Sequence, residues 1–305
     1  AASDVYKRQV AHNVQMAKAN LKPTTKLCAV VKADAYGHGA VRVAQEAARN
    51  GADFFAVALL QEGVKLREAG IETPILVLGS MLPEVAEICV RYDISHAVFD
   101  EERLYALNAA ALKLHTKAKI HIKIDTGMHR IGVHVRDAGR FAKLAASLPG
   151  IYIEGVFSHF ATADADDKQY AAYQFERFQE ALRLIEAEGV HIPIRHIANS
   201  AALTELQEYQ LDMVRQGITL YGLHPAHMID CYKDFEPVMT VKTQVAFVKT
   251  LPPGESIGYG RTYTLTRPSV IATVPIGYAD GVSRRLSNRG YMPVSYTHLT
   301  LPTIA

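Results

Sequence analysis

The stretch VVKADAYGHG, residues 30–39, ends an apolar run on a lysine and follows that lysine with a tyrosine and two glycines. Buried lysines are rare unless they are paired or chemically used. After Gly39 the chain alternates strand-like and helix-like runs in a regular order. Strand-like runs fall at 27–31, 54–58, 75–78, 95–99, 119–124, 154–158, 194–198 and 213–217, which makes eight. Amphipathic segments lie between several of them. The clearest spans 166–189, where Phe175, Phe178, Leu182 and Ile185 recur at steps of three and four. Eight strands separated by helices over about 200 residues predict a closed (β/α)8 barrel of the TIM-like kind, an α/β fold. An open doubly wound sheet would more often show a glycine-rich phosphate loop after an early strand.

Beyond about Asp234 the pattern changes. Met239, Val241, Val245 and Phe247 alternate with Thr240, Lys242 and Gln244, and Leu251-Pro-Pro-Gly254 forms a turn signal. The chain is therefore expected to comprise a barrel over residues 1–233 and an incomplete, strand-rich domain over 234–305. The last stretch, YMPVSYTHLTLPTIA, carries no clear closing element.

The 305 residues, 49% hydrophobic and 21% charged, can bury a large core. Their 33 basic and 31 acidic side chains nearly cancel, and no long basic run occurs, so neither nucleic acid nor an anionic membrane is the expected partner. Cys28, Cys89 and Cys231 lie far apart, form no metal-spaced pair and suit a reducing compartment. No apolar run of membrane length and no secretory leader is visible, which makes the cytoplasm the default expectation.

In a barrel of this kind, function gathers at the C-terminal ends of the strands. Lys32, Asp34, Tyr36 and His38 follow the first strand. Lys123, Asp125 and Arg130 follow the fifth, His159 the sixth, and Asn199 and Ser200 the seventh. Arg215 lies in the eighth, with Gly217 and Ile218 next. The set contains no metal-binding pattern. It offers an amine, several anion-holding donors and glycines that admit a ligand to the backbone. Those parts suit an aldehyde cofactor bearing a phosphate, because an amine pushed toward neutrality by nearby cations and partial burial can form a Schiff base.

AVVKADAYGHG (29–39) resembles the cofactor-lysine motif of the alanine racemases, a pyridoxal-phosphate-dependent barrel family. IKIDTGMHRIG (122–132), EGVFSHFATAD (154–164), RHIANSAA (195–202), DMVRQGITLYG (212–222), IGYGRTY (257–263) and PIGYADG (275–281) resemble further segments of it in the same order. The resemblance implies interconversion of L- and D-alanine by two-base proton transfer at the α-carbon, in D-alanine and cell-wall precursor supply. It implies that Lys32 carries pyridoxal 5'-phosphate and is one base, and that Tyr259 is the other, reaching in from the second subunit of a head-to-tail homodimer with shared sites. Tyr36, Ser200, Gly217 and Ile218 are implied to hold the phosphate. Arg215 would face the pyridine nitrogen with His159 behind it and Asn199 beside it. Arg130 would steady the ring oxygen and the substrate carboxylate, and Tyr278 would narrow the pocket. In the family the lysine matching Lys123 is often carboxylated by carbon dioxide. His38, His121, His129, His196 and His224 flank these motifs without an assigned duty, and most of them read as local hydrogen-bonding or surface residues.

An arginine at the ring nitrogen leaves that nitrogen unprotonated, which favours simple proton removal and return over transamination. A serine-preferring or broader racemase, a pyridoxal-phosphate-binding protein without the second domain, and a barrel decarboxylase are the competing readings. Tyr259 counts against the second of these and Arg215 against the third. The resemblance stops at both ends: AASDVYKRQ stands where a short apolar strand is expected, and PVSYTHLTLPTIA where the second domain should continue. That pattern is expected of a truncated or misassembled chain, with activity and dimerisation reduced.

Overall fold

The eight apolar runs form strands β1 (Lys26–Val30), β2 (Phe54–Val57), β3 (Ile75–Val77), β4 (Ser95–Val98), β5 (Ala118–Asp125), β7 (Ile151–Phe157), β8 (Ile194–His196) and β9 (Met213–Gln216). The structure is a computed structural model and describes residues 2–225, 232–294 and 297–300. Strands β2, β3, β4 and β9 are buried along their whole length, as parallel strands covered on both faces must be. They pair in parallel in the order β8-β7-β5-β4-β3-β2-β1-β9. Two main-chain bonds, Asp212 N–H to Arg195 O at 3.0 Å and Arg215 N–H to Ala198 O at 3.1 Å, bring β9 against the β8 segment and nearly close the barrel.

A ninth short strand that the pattern did not reveal, β6 (Val133–His134), pairs in parallel with the end of β5. Gly132 makes this possible. Its φ is +136°, and a Cβ there would lie 2.5 Å from the Asp125 nitrogen.

Two apolar layers result. Inside the barrel, Cys28, Val30, Phe54, Ala56, Leu76, Ile194 and Met213 pack together. Outside, helices cover the sheet. The helix Gln169–Ala187 buries Phe178, Ala181 and Ile185 and half-buries Phe175 and Leu182, as its periodicity requires. The opening segment belongs to a helix, Ala2–Ala19, that buries Val10, Val14 and Ala17. Its Asn13 amide donates to Leu220 O at 3.0 Å and Glu236 O at 2.8 Å.

The chain divides into two compact units, Ala1–Met239 and Thr240–Ala305. In the second, β10 (Phe247–Leu251) pairs with β13 (Ser269–Thr273), β11 (Ser256–Ile257) with β12 (Tyr263–Thr264), and β14 (Tyr291–Val294) with β15 (Thr297–Thr300), all antiparallel. The alternation at 239–247 does not make a strand before Phe247. A strand needs a partner for its backbone groups, and no described strand pairs with residues 240–245. The tail, expected to lack a closing element, contains the β14–β15 hairpin. Cys28 and Cys89 are free and buried in the first unit, whereas Cys231 lies outside the described residues. Among the described residues no helix is long and apolar enough to cross a membrane.

Candidate active site

At the C-terminal mouth of the barrel a cavity of about 570 Å³ is lined by Lys32, Tyr36, Lys123, Arg130, His159, Asn199, Ser200, Arg215, Gly217 and Ile218, together with apolar residues such as Met128, Ile131 and Phe160. The structure thus brings together every expected site residue of the first unit. Tyr259 and Tyr278 belong to the second unit, on short 3-10 turns (Tyr259–Arg261 and Tyr278–Asp280), with 81% and 60% of their surface exposed. They are not among the residues lining this cavity.

Lys32 stands half-buried directly after β1, and the chain then makes one left-handed turn. Ala33, Asp34, Ala35 and Tyr36 all have φ between 51° and 55°. L-residues avoid this region, so the turn is held from outside. The Glu62 carboxylate accepts from Ala33 N–H at 2.5 Å while its other oxygen accepts from Ala58 and Leu59 N–H at 2.8 and 3.0 Å. Asp34 accepts from Ala40 N–H at 3.0 Å, tying the turn to the helix Ala40–Arg49. The Lys32 amine lies 5.8 Å over the Tyr36 ring. Burial and then the charge of Arg130 hold its pKa below the ordinary lysine value, against a smaller opposing effect of Glu62. A half-buried amine beside Arg130 spends more of its time as the free base than an exposed lysine does.

At the far end of the cavity, Ser200 Oγ accepts from Gly217 N–H at 2.8 Å. A Cβ on Gly217 would lie 3.4 Å from Tyr36 Oη and 3.5 Å from Ser200 Oγ, so two hydroxyls converge on one bare stretch of backbone. Asn199 caps the helix Ser200–Glu205 by accepting from Ala202 N–H at 3.1 Å.

Arg215 is buried in the barrel wall. Its Nη2 donates to Ser158 O at 2.8 Å and Ile197 O at 3.0 Å and lies 2.9 Å from His159 Nδ1. Its Nη1 lies 2.6 Å from His196 Nδ1. Burial foremost, and Arg130, bring its pKa to about 10, so it remains a cation at neutral pH. His159 and His196 are held well below the ordinary histidine value, by burial first and Arg215 second, and are neutral. His159 shares Arg215 with His196, a local hydrogen-bonding part for His196 of the kind expected. His121, likewise given no assigned duty, is fully buried 2.9 Å from His196. The signal available for both was the two-residue alternation that puts His121 on the inner face with Lys123, and His196 with Ile194. The other three behave as expected: His38 bonds Ala35 O, His129 pairs with Asp125, and His224 stacks on Tyr232.

Lys123 is 3% exposed, donates to Ile124 O at 2.8 Å and lies 3.5 Å from Ser158 Oγ. Burial and then Arg215 bring its pKa down to about 7. Among the described residues no group of His, Cys, Asp and Glu side chains is placed to hold a metal.

The donor set fits pyridoxal 5'-phosphate. It supplies an amine for the aldehyde, two hydroxyls converging on Gly217 for the phosphate, and a guanidinium rather than a carboxylate in the buried wall.

The family model described as "Alanine racemase, N-terminal domain" matches residues 5–225, and that described as "Alanine racemase, C-terminal domain" matches 238–303. An alanine racemase of Desulfovibrio desulfuricans is 46% identical over 278 residues, covering 91% of this chain and 75% of its own length. Alanine racemase 2 of Caldanaerobacter subterraneus subsp. tengcongensis is 47% identical over 280 residues, covering 92% and 72%. Among solved structures, the alanine racemase of Streptomyces coelicolor A3(2) superposes with a TM-score of 0.90 at 32% identity, covering 98% of this chain and 81% of that one. That of Bacillus anthracis with bound L-Ala-P gives 0.86 at 35%, covering 98% and 78%.

Proposed function

The chain belongs to the alanine racemase family, and from that premise we propose that Lys32 and Tyr259 are the two bases that invert the α-carbon of alanine. The family's activity is the interconversion of L- and D-alanine with pyridoxal 5'-phosphate, and its substrate is a small amino acid. When bound, that cofactor supplies an electron-withdrawing ring that acidifies the α-hydrogen of an attached amino acid. The observation that carries the reading is the convergence of Lys32, Arg215 and the Tyr36–Ser200 hydroxyl pair on one cavity.

Tyr36, Ser200 and the backbone at Gly217 and Ile218 would hold the phosphate, with charge-assisted bonds from the hydroxyls. Arg215 would stand at the ring nitrogen. A guanidinium has no acceptor, so it leaves that nitrogen without a proton and limits how far negative charge spreads from the α-carbon. His159 and Asn199 support the ring's surroundings. Arg130 steadies the substrate carboxylate, and Tyr278 bounds the space for the side chain.

Inversion needs a proton taken from one face and returned on the other. Lys32 serves one face, removing the proton of D-alanine. Tyr259 of the partner subunit serves the opposite face and removes that of L-alanine, in a homodimer with shared sites. The 81% exposure of Tyr259 within its own chain supports this reading. Lys123 is carboxylated: its free amine adds to carbon dioxide, an N–C bond forms, one proton leaves, and the resulting anion pairs with Arg130. The cationic surroundings and the depressed pKa support that step.

The test is incubation of the purified chain and pyridoxal phosphate with L-alanine, followed by chiral separation. D-alanine should accumulate toward an equal mixture, faster than the D-isomers of serine or lysine form from their L-isomers. Hydride reduction should attach the phosphopyridoxyl group to Lys32. Attachment to another lysine, or faster turnover of serine, would overturn the assignment or the substrate.

A further inference from the structure

The barrel interior is not wholly apolar. Beside its apolar cluster, with Phe54 edge-on to His121 at 5.9 Å, runs a file of polar side chains that begins at Arg215 in the cavity wall and continues to residues that do not line the cavity. Arg215 Nη1 lies 2.6 Å from His196 Nδ1, His196 Nε2 lies 2.9 Å from His121 Nδ1, and His121 Nε2 lies 3.0 Å from Glu154 Oε2. The same carboxylate oxygen accepts from Ser95 Oγ at 2.5 Å. Arg215, His196, His121 and Ser95 are all at least nine-tenths buried.

The sense of every bond follows from its ends. Arginine can only donate, so His196 Nδ1 must be a bare acceptor and its Nε2 must carry the proton. His121 Nδ1 then accepts, and His121 Nε2 carries the proton that Glu154 receives. An ionised carboxylate can only accept, and hydrogen bonds from His121 and Ser95 hold Glu154 below the usual carboxylate range despite its burial. Gly155, the next residue, makes room for the contact, since a Cβ there would lie 2.5 Å from His121 Nδ1.

We propose that Glu154 is a positioning residue for Arg215: by fixing the tautomer of His121 and through it that of His196, it keeps an acceptor facing the guanidinium. The proposal rests on the reading of Arg215 as the residue that faces the cofactor ring. Without an acceptor at residue 154 the buried His121 N–H is orphaned. Relief comes from reversing both rings, which sets His196 Nδ1–H against an arginine N–H and displaces Arg215.

The test uses ¹⁵N-histidine spectra of the full chain, with and without pyridoxal phosphate, beside the cofactor's dissociation constant. In the unsubstituted protein, His121 and His196 should both be neutral and protonated at Nε2. Glu154→Leu should change the His196 signature, although residue 154 does not touch it, and weaken cofactor binding about tenfold. Glu154→Gln, whose amide oxygen can accept both bonds, should restore both readouts. Protonation of His196 at Nδ1 in the unsubstituted protein overturns the proposal and requires no variant to fold. So does a folded Glu154→Leu protein with unchanged His196 and unchanged affinity. A changed His196 with unchanged affinity would uphold the coupling and overturn the reading of Arg215.

Discussion

Two residues in the barrel wall, Gly155 and Lys123, carry measurable consequences of their own. Gly155 is the sharper case: a methyl group there would meet His121 Nδ1 at 2.5 Å, Cε1 at 2.6 Å and Ile194 O at 2.7 Å, all inside contact distance. Gly155→Ala should therefore break the bond between the two imidazoles and cost roughly 2–4 kcal/mol, as overpacking and an orphaned polar group together do. Chemical denaturation midpoints would measure it, and a loss below about 0.5 kcal/mol would show that the strand shifts freely. Lys123 gives a pH signature. Its folded pKa of about 7 lies below the ordinary 10.5. Between those values the unfolded chain holds the proton and the folded chain does not, so this group makes stability rise with pH from about 7 toward 10. In buffers free of carbon dioxide, urea midpoints should be higher at pH 9 than at pH 7, and Lys123→Met should reduce that difference. With ¹³C-bicarbonate, a carbamate carbon signal should appear in the parent protein and vanish in the same variant.

Among the elements, the left-handed turn after Lys32 stores the most strain, because four consecutive L-residues occupy a region that costs about 1–2 kcal/mol each. Ala33 is exposed, so replacing it removes little packing. Ala33→Gly should stabilise the fold by about 1 kcal/mol, read as a rise of about 2 °C in melting temperature. A fall would mean that the alanine methyl makes a contact stronger than the strain. This turn also marks where reading by pattern stops. Gly37 and Gly39 signalled unusual backbone in the sequence, and both have positive φ, but nothing in ADAY announces a left-handed helix. Its conformation is imposed by Glu62, a residue from a different β/α unit. The barrel strands and the helix Gln169–Ala187 were legible because burial on fixed faces writes a period into the sequence. The site residues of the first unit were legible because strand ends share one rim. The bonding of His121 and His196 was not, since alternation places them on the inner face without naming partners, which sit on neighbouring strands 33 and 19 positions away in the chain at Glu154 and Arg215. Alternation at 239–247 misled because it reports side-chain pattern, whereas a strand also needs a partner for its backbone.

At the scale of the molecule, the two units differ in what they bury. The first holds two apolar layers. Among described residues of the second, Leu265 is the single large apolar side chain less than 9% exposed, while Val241, Phe247, Val248 and Val270 are each more than half exposed. Local opening concentrates where buried contacts are few. Limited proteolysis of the isolated chain should thus digest Thr240–Ala305 first and leave a resistant fragment ending near Met239, still able to take pyridoxal phosphate on Lys32. Equal resistance of both units would instead point to cover for the second by another copy, and dilution should then restore its sensitivity. The polar file through the barrel has one more consequence, for traffic. A chain of hydrogen bonds conducts protons only if each link can reverse, and this one is pinned by a guanidinium that never accepts at one end and an ionised carboxylate, which only accepts, at the other. Its middle is two rings with no alternative order. While Glu154 stays ionised, this file is therefore an insulator, and a hydrogen exchanged at the alanine carbon does not travel along it.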